Sequence, residues 1–127
     1  MSALAVASCG SEEPRDVRGP ARDVAATIAA LERATAKGDF VAICDRLFTA
    51  AERKQAGAGD CPALLRRTAG DVRRPRIKLE SIRLRGDRAV ATVTTTAEGQ
   101  RSVRESIVLV REHGTYRIAA LSGRGSD

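Results

Sequence analysis

The stretch "PRIKLESIRLRGDRAVATV", residues 75–93, marks the point at which the spacing of apolar residues changes along the chain. Before Pro75 the apolar residues recur at helical intervals, and after it they follow the alternation of β-strands. The tetrapeptide "RGDR" within the stretch is a typical hairpin turn. The sequence therefore predicts helices followed by an antiparallel sheet, which is the pattern of an α+β domain.

Turn signals at regular spacing divide the second half of the chain into strands. They are "RGDR" at 85–88, "AEGQ" at 97–100 and "EHGT" at 112–115. Four strands joined by three hairpins follow from this spacing. In the first strand the parity of the apolar residues changes between Leu79 and Ile82, so we expect a β-bulge near Glu80 or Ser81 to reconcile its two halves.

The first half of the chain predicts three helices. The first spans residues 20–37 and ends at Gly38 in a left-handed conformation. Asp39 caps the second, and Asp60 caps the third with Pro62 in its first turn. The residues expected to face the core are Val24, Ile28, Leu31 and Thr35 in the first helix, Phe40, Ile43, Cys44, Leu47, Phe48 and Ala51 in the second, and Leu64, Leu65 and Val72 in or after the third.

Length and composition indicate one domain with one core. The chain has 127 residues, of which 43% are hydrophobic, enough for a single hydrophobic core. Phe40, Phe48 and Tyr116 are its only aromatic residues. We therefore expect a core of Ala, Val, Ile and Leu, whose smaller side chains each contribute less burial.

The formal charge of +6 is concentrated in residues 66–88, where nine basic side chains accompany three acidic ones. The predicted basic patch comprises Arg66, Arg67, Arg73, Arg74, Arg76 and Lys78. A solvated face is one interpretation, and a surface that attracts anionic lipid headgroups or an acidic envelope partner is the other. Nucleic acid is disfavoured as a partner because base stacking needs exposed aromatic side chains, and this stretch has none.

The sequence "VASC", residues 6–9, resembles a bacterial lipobox, in which small residues precede a cysteine that is lipidated and becomes the new amino terminus. The resemblance implies a remnant of a signal peptide at 1–8, a lipidated Cys9, and a flexible polar tether over 9–19. It places the chain on the extracytoplasmic face of the cell membrane. A cytosolic chain with an incidental cysteine is the alternative.

Three short stretches resemble the NTF2-like superfamily, and in particular its small secreted lipoproteins. They are "AKGDF" at 36–40, "RGDRAVATV" at 85–93 and "LVREHGTYRIAAL" at 109–121. The last stretch carries the aromatic, basic and isoleucine residues typical of the final strand in that family, as Tyr116, Arg117 and Ile118. The resemblance implies a cone, with N-terminal helices packed on a curved four-stranded antiparallel sheet, over residues 20–122. Residues 123–127 are then a disordered tail.

Cys44 and Cys61 stand in the predicted second helix and at the start of the third. The lipoproteins that the chain resembles often carry a cysteine at each of these places, which favours a disulfide in an exported chain. Closing the segment 45–60 in this way stabilises a fold by roughly 3 kcal/mol. Two buried free thiols are one alternative. A metal site is the other, although the chain has no CxxC pair and only one imidazole, that of His113.

The sequence lacks the usual spacings of catalytic side chains. His113 lies in a predicted turn, and we find no Ser/His/Asp arrangement, phosphate-binding glycine loop or telling pair of carboxylates. Glu105 is the unusual residue, because its parity places it on the same strand face as Ile107 and Leu109. It therefore lines a cavity, pairs with Arg111, or reaches solvent from an edge position.

These observations favour a non-catalytic binding module of the cell envelope. We expect its pocket to include Glu105, Tyr116 and Phe40, and to take a small apolar ligand without a cofactor or metal. An acidic envelope partner and a homodimer are both compatible with this interpretation. The alternatives are a pocket enzyme of the isomerase or cyclase kind with Glu105 as base, and a cytosolic domain of the same fold.

Overall fold

A layer of helices packs on one face of an antiparallel sheet. The computed structural model describes residues 19–122. The predictions for the signal peptide remnant, for Cys9 and most of its tether, and for the tail at 123–127 lie outside the described residues. Within residues 19–122, no helix is both long enough and apolar enough to span a membrane.

Helix α1, Gly19–Lys37, lays its predicted apolar stripe on the sheet. Val24 and Ile28 are buried, and Leu31 packs against the same core. The helix ends at Gly38, whose φ of +69° lets the Asp39 N–H reach back to the carbonyl of Ala34, 2.9 Å away. This left-handed termination is the one that the sequence predicts.

The second helix is shorter than predicted. Helix α2, Phe40–Ala42, is capped by Asp39, whose carboxylate accepts from the Ala42 N–H at 3.2 Å. It continues into a wide π-helical turn, Ile43–Leu47, after which Phe48 is extended. A separate helix α3, Ala50–Gln55, follows, with Thr49 as its N-cap. The prediction of one continuous helix through Ala51 is therefore wrong, and Ala51 is exposed on α3.

The helix is interrupted after Leu47 because the backbone there forms a hydrogen bond with the sheet. The N–H of Phe48 reaches the carbonyl of Ile43 at 3.0 Å, and the next N–H, that of Thr49, donates to the carbonyl of Ile118 at 2.9 Å. The carbonyl of Ile118 on the last strand thus accepts from the Thr49 N–H, which in a continuous helix would donate to a carbonyl within the helix. Thr49 then caps α3, because its Oγ1 accepts from the Glu52 N–H at 3.0 Å.

Helix α4, Cys61–Ala69, follows a short 3₁₀ turn, Ala56–Gly59. Asp60 caps it as predicted, with its carboxylate accepting from the Ala63 N–H at 3.2 Å. The Cys44–Cys61 disulfide is confirmed, and it joins α4 to the π-helical turn. Both cysteines are almost fully buried, with 1% and 2% of their surface exposed.

The sheet is an antiparallel meander in which the strands follow one another in chain order. The strands are β1 Arg76–Arg85, β2 Arg88–Thr96, β3 Val103–Glu112 and β4 Thr115–Ser122. In β1, Leu79 pairs with Val93 and Ser81 pairs with Thr92, which leaves Glu80 without a partner. This is the predicted bulge. A second bulge at Ala119 of β4 was not predicted.

The core lies between the helices and one face of the sheet, here called the inner face. Along β2 the inner positions, such as Ala89 and Val93, are completely buried, whereas the alternate outer positions, such as Val90 and Thr94, are partly exposed. The core residues are Val24, Ile28, Phe40, Ile43, Cys44, Phe48, Ala56, Cys61, Ala89, Ala91, Val93, Ile107, Leu109, Tyr116 and Ile118. The α+β prediction is therefore confirmed.

Candidate functional site

A cavity of about 360 Å³ lies between the inner face of the sheet and the helices. It is found at the end of the sheet where β2 turns into β3. The helical side contributes Leu31, Thr35, Phe40, Ile43, Phe48, Leu65, Thr68, Ala69 and Val72; the sheet side contributes Arg76, Ile77, Thr95, Thr96, Val103, Glu105, Ile107 and Leu121; Pro75, Ala97, Gln100 and Arg101 complete the lining.

The walls of this cavity are mainly apolar because the helices and strands turn their core faces toward it. Leu31 comes from the α1 stripe, and Phe40 is placed by the Asp39 cap that starts α2. From the sheet, Val103 and Ile107 alternate along the inner face of β3. Such a concave apolar space with a few polar groups is the usual form of a small-molecule site.

Glu105 places a carboxylate in the apolar lining. It stands between Val103 and Ile107 on the inner face of β3, and it is partly buried. The hydroxyl of Thr95, on the neighbouring strand, donates to Oε2 of Glu105 at 3.1 Å. The carboxylate is thereby oriented within the cavity, where its remaining lone pairs can accept from a ligand.

The proposed pairing of Glu105 with Arg111 is wrong. Arg111 lies six positions further along β3, roughly 20 Å away at the rise of a strand. Its guanidinium stacks over the ring of Tyr116, 4.8 Å from the centroid. Its Nε lies 3.9 Å from the carboxylate of Asp87. The cation is therefore held at the opposite end of the sheet from the cavity.

One end of the cavity reaches the surface. Arg76, Gln100 and Arg101 belong to its lining and are all exposed. The mouth therefore lies beside the β2–β3 turn, with Arg101 at its rim and Glu105 inside. A ligand with an apolar body and a hydrogen-bond donor fits this distribution of groups.

The structure brings together two of the three predicted pocket residues. Phe40 and Glu105 both line the cavity, and Tyr116 does not. Tyr116 is buried nearer the other end of the sheet, where its backbone carbonyl accepts from the Thr27 hydroxyl at 2.9 Å. That hydrogen bond ties α1 to β4, which gives Tyr116 a role in packing.

Residues 95–101 form much of the cavity mouth, and sequence reasoning missed them. Thr95 pairs with Val103 in the β2–β3 register, and so lies diagonally beside Glu105. The parity that identified Glu105 also places Thr95 on the inner face. Strand parity together with the hairpin turn at 97–100 could have predicted this contact, because diagonal neighbours across two strands are within reach of each other.

The chain's one histidine lies away from the cavity. His113 occupies the β3–β4 turn with a φ of +52° and is exposed. It is eight residues from Glu105, which corresponds to roughly 26 Å along a strand. Across the described part of the chain, no three His, Cys, Asp or Glu side chains come together as a metal site.

The six residues of the predicted basic patch are all exposed, but they occupy three different places. Arg66 and Arg67 lie on α4. Arg73 and Arg74 lie in the segment that leads from α4 to β1. Arg76 and Lys78 lie on the outer side of β1, where they pair with Thr96 and Thr94.

No protein-family model matches the chain, and neither a curated protein nor a solved structure matches it.

Proposed function

We propose that the chain is a non-catalytic binding module of the cell envelope, and that its cavity takes a small, mainly apolar molecule with a hydrogen-bond donor. The cavity between the helices and the inner sheet face carries this proposal. Its volume of about 360 Å³ falls within the range of ligand pockets, roughly 300–1,000 Å³. Its apolar walls favour an apolar body, and Glu105 favours a donor.

We further propose that the module is a lipoprotein, anchored through Cys9 on the extracytoplasmic face of the membrane. The resemblance of residues 6–9 to a lipobox supports this location, and so does the buried Cys44–Cys61 disulfide. Disulfides persist in oxidising compartments and are rare in a reducing cytosol.

An NTF2-like cone is the fold that we propose for the module. Three features support it: the helices precede the sheet, the sheet is a four-stranded meander, and bulges at Glu80 and Ala119 interrupt its two edge strands. Bulges bend strands, and bending toward the helices is what a cone requires.

A pocket enzyme with Glu105 as general base is the second candidate. The position of a partly buried carboxylate in an apolar cavity favours it, because such groups serve in proton transfer. His113, in the β3–β4 turn, is too far from Glu105 to take part in proton transfer in the cavity. An enzyme of this kind therefore depends on Glu105 as its acid–base residue. Ligand binding requires no catalytic side chain besides Glu105, and for that reason we prefer the binding module to the enzyme.

The ligand proposal is tested by binding of a neutral apolar fluorophore, N-phenyl-1-naphthylamine, to the full chain. Val103→Phe fills the cavity from the inner face of β3, and we expect it to weaken binding at least tenfold, about 1.4 kcal/mol. Val108→Phe adds the same group to the outer face of the same strand and is the matched control. Equal binding by the two variants, or none by the wild type, would overturn the proposal.

The location is tested by fractionation of cells that express the chain with its native leader. We expect the wild type in the membrane fraction and Cys9→Ala in the soluble fraction, because two or three acyl chains hold a protein to a bilayer. If wild type and variant are equally soluble and uncleaved, Cys9 is not an anchor.

A further inference from the structure

The outer face of the sheet, opposite the cavity, gathers cations from three strands. Register places them on one side, since directly opposed residues of antiparallel strands point the same way. The exposed cations of this face on β1, β2 and β3, here called the outer-face cations, are Arg76, Lys78, Arg83, Arg85, Arg88 and Arg104. Arg104 lies outside the basic stretch of the sequence and joins this surface only through strand pairing.

Several of these cations stand opposite or close to one another. Arg85 pairs directly with Arg88 across the β1–β2 hairpin. Lys78 and Arg104 both flank Thr94, one on each side of β2. Like charges directly opposite each other destabilise a sheet. Arg85 and Arg88 therefore reduce the stability of the sheet.

The exposed cations of this surface form no ion pairs within residues 19–122. Within residues 19–122 the ion pairs are Arg53–Asp45 and Arg111–Asp87, and neither involves an outer-face cation. Glu80 lies among the cations on its bulge, where it accepts from the Thr94 hydroxyl at 2.7 Å. Glu80 offsets one of these charges, and the remaining positive charge of the outer face is available to anions from outside the molecule.

The charge is densest at the tip of the β1–β2 hairpin. Arg83, Arg85 and Arg88 surround a depression of about 370 Å³, together with Leu84, Ala89 and Val90. Guanidinium groups bind phosphate oxygens in pairs of hydrogen bonds. Leu84 pairs with Ala89 and so lies on the inner face, whereas Arg83, Arg85, Arg88 and Val90 lie on the outer face of the hairpin. Several guanidinium groups close together fit the closely spaced phosphates of a phospholipid surface.

We propose that the outer face docks on an anionic phospholipid bilayer, with the hairpin arginines on lipid phosphates. A bilayer presents many phosphates side by side, which suits cations spread over one face of three strands. Single-stranded nucleic acid is recognised largely by stacking on aromatic side chains, and Phe40, Phe48 and Tyr116 are all buried. Trp, Tyr and Arg dominate protein interfaces, and the outer face offers only Arg of these three, so we favour a lipid surface over an acidic protein.

The experiment uses the full chain carrying Cys9→Ala, so that no acyl anchor contributes. Its partition is measured on phosphatidylcholine vesicles with and without phosphatidylglycerol. We expect binding only to the anionic vesicles, weakened by added salt. Each cation near an anionic surface contributes about 1 kcal/mol. Arg83→Gln/Arg85→Gln/Arg88→Gln should therefore lower the partition coefficient roughly a hundredfold.

Arg22→Gln/Arg33→Gln/Lys37→Gln is the matched control. It removes three exposed cations from α1, on the other side of the sheet, and we expect it to bind nearly as the wild type does. An equal loss in both triple variants would show an effect of net charge alone and overturn the proposal. So would equal binding to neutral vesicles.

Two further arms separate a bilayer from other anions. Inorganic phosphate at constant ionic strength should leave vesicle binding in place, and displacement by it would identify a site for the free ion instead. Binding of a polyuridine RNA in preference to anionic vesicles would also contradict the proposal. Val103→Phe should leave vesicle binding unchanged, so the outcome is independent of the cavity.

Discussion

The carboxylate of Glu32, on α1, accepts a hydrogen bond of 2.6 Å from the backbone N–H of Ile77, at the start of β1. This contact fastens the edge strand to the first helix beside the cavity, since Leu31 and Ile77 both belong to its lining. A charged acceptor makes such a bond stronger than one between neutral groups. The bond therefore positions one wall of the cavity.

We expect Glu32→Ala to lower the free energy of unfolding by about 1–3 kcal/mol, because it leaves the N–H of Ile77 without its acceptor. Glu32→Gln keeps an acceptor oxygen and should recover part of the loss. Urea denaturation measures both. Arg33→Ala, at the next and exposed position of α1, is the control. A loss as large in Arg33→Ala would attribute the effect to the helix and not to the bond.

Reduction of the Cys44–Cys61 bond should lower the free energy of unfolding by about 3 kcal/mol, because the reduced chain gains conformational freedom in its unfolded state. The measurement compares urea denaturation of oxidised protein with that of protein whose thiols have been reduced and alkylated. Peptide mapping without reductant should recover the two cysteines in one linked peptide. Two freely alkylated thiols in native exported protein would contradict the bond and the exported fold built on it.

Much of the fold could be predicted because its signals are local. Gly38 ends α1, Asp60 begins α4, and the change of parity after Leu79 marks the bulge at Glu80. Each of these depends on residues within one turn of a helix or one short strand. A single sequence carries that information in full.

The break after α2 could not be read in the same way. Its apolar spacing suits a continuous helix, and residues 43–49 contain neither glycine nor proline. The break depends on β4, whose Ile118 carbonyl takes the N–H of Thr49 and whose Arg117 donates to the carbonyl of Phe48 at 3.4 Å. A local hint existed in "TAAE" at 49–52, a capping-box pattern that starts a helix.

The cavity was only partly predictable for a related reason. Strand parity identified Glu105, and helical spacing placed Phe40 in the core. The volume between them depends on how far the helices stand from the sheet, which no local pattern encodes. The grouping of the outer-face cations could not be predicted from local patterns either, since Arg104 lies near Lys78 only because both pair with Thr94.

Burial raises the pKa of the Glu52 carboxyl above its ordinary value of 4.5. The folded state then binds this proton more tightly than the unfolded state does, so the stabilisation from the protonated group is complete below about 4.5 and is lost as pH rises through the raised pKa. We expect the stability of Glu52→Gln relative to the wild type to increase as pH rises from 4.5 toward neutrality. Urea denaturation over this range measures the difference, and a difference independent of pH would contradict the prediction.

Glu105→Gln separates binding from catalysis in the cavity. The amide keeps the shape of the side chain and an oxygen that can accept from Thr95, whose hydroxyl now donates to the carboxylate at 3.1 Å. Binding of neutral N-phenyl-1-naphthylamine should therefore change little. A ligand of similar size with an ammonium group should bind more weakly by about 1–3 kcal/mol, because a charge-assisted hydrogen bond is lost. Fluorescence titration of the first ligand, and competition by the second, measure the two effects.

Turnover of a small ketone or ester by the wild type, abolished in Glu105→Gln, would instead favour the pocket enzyme, since a general base is lost with the carboxylate.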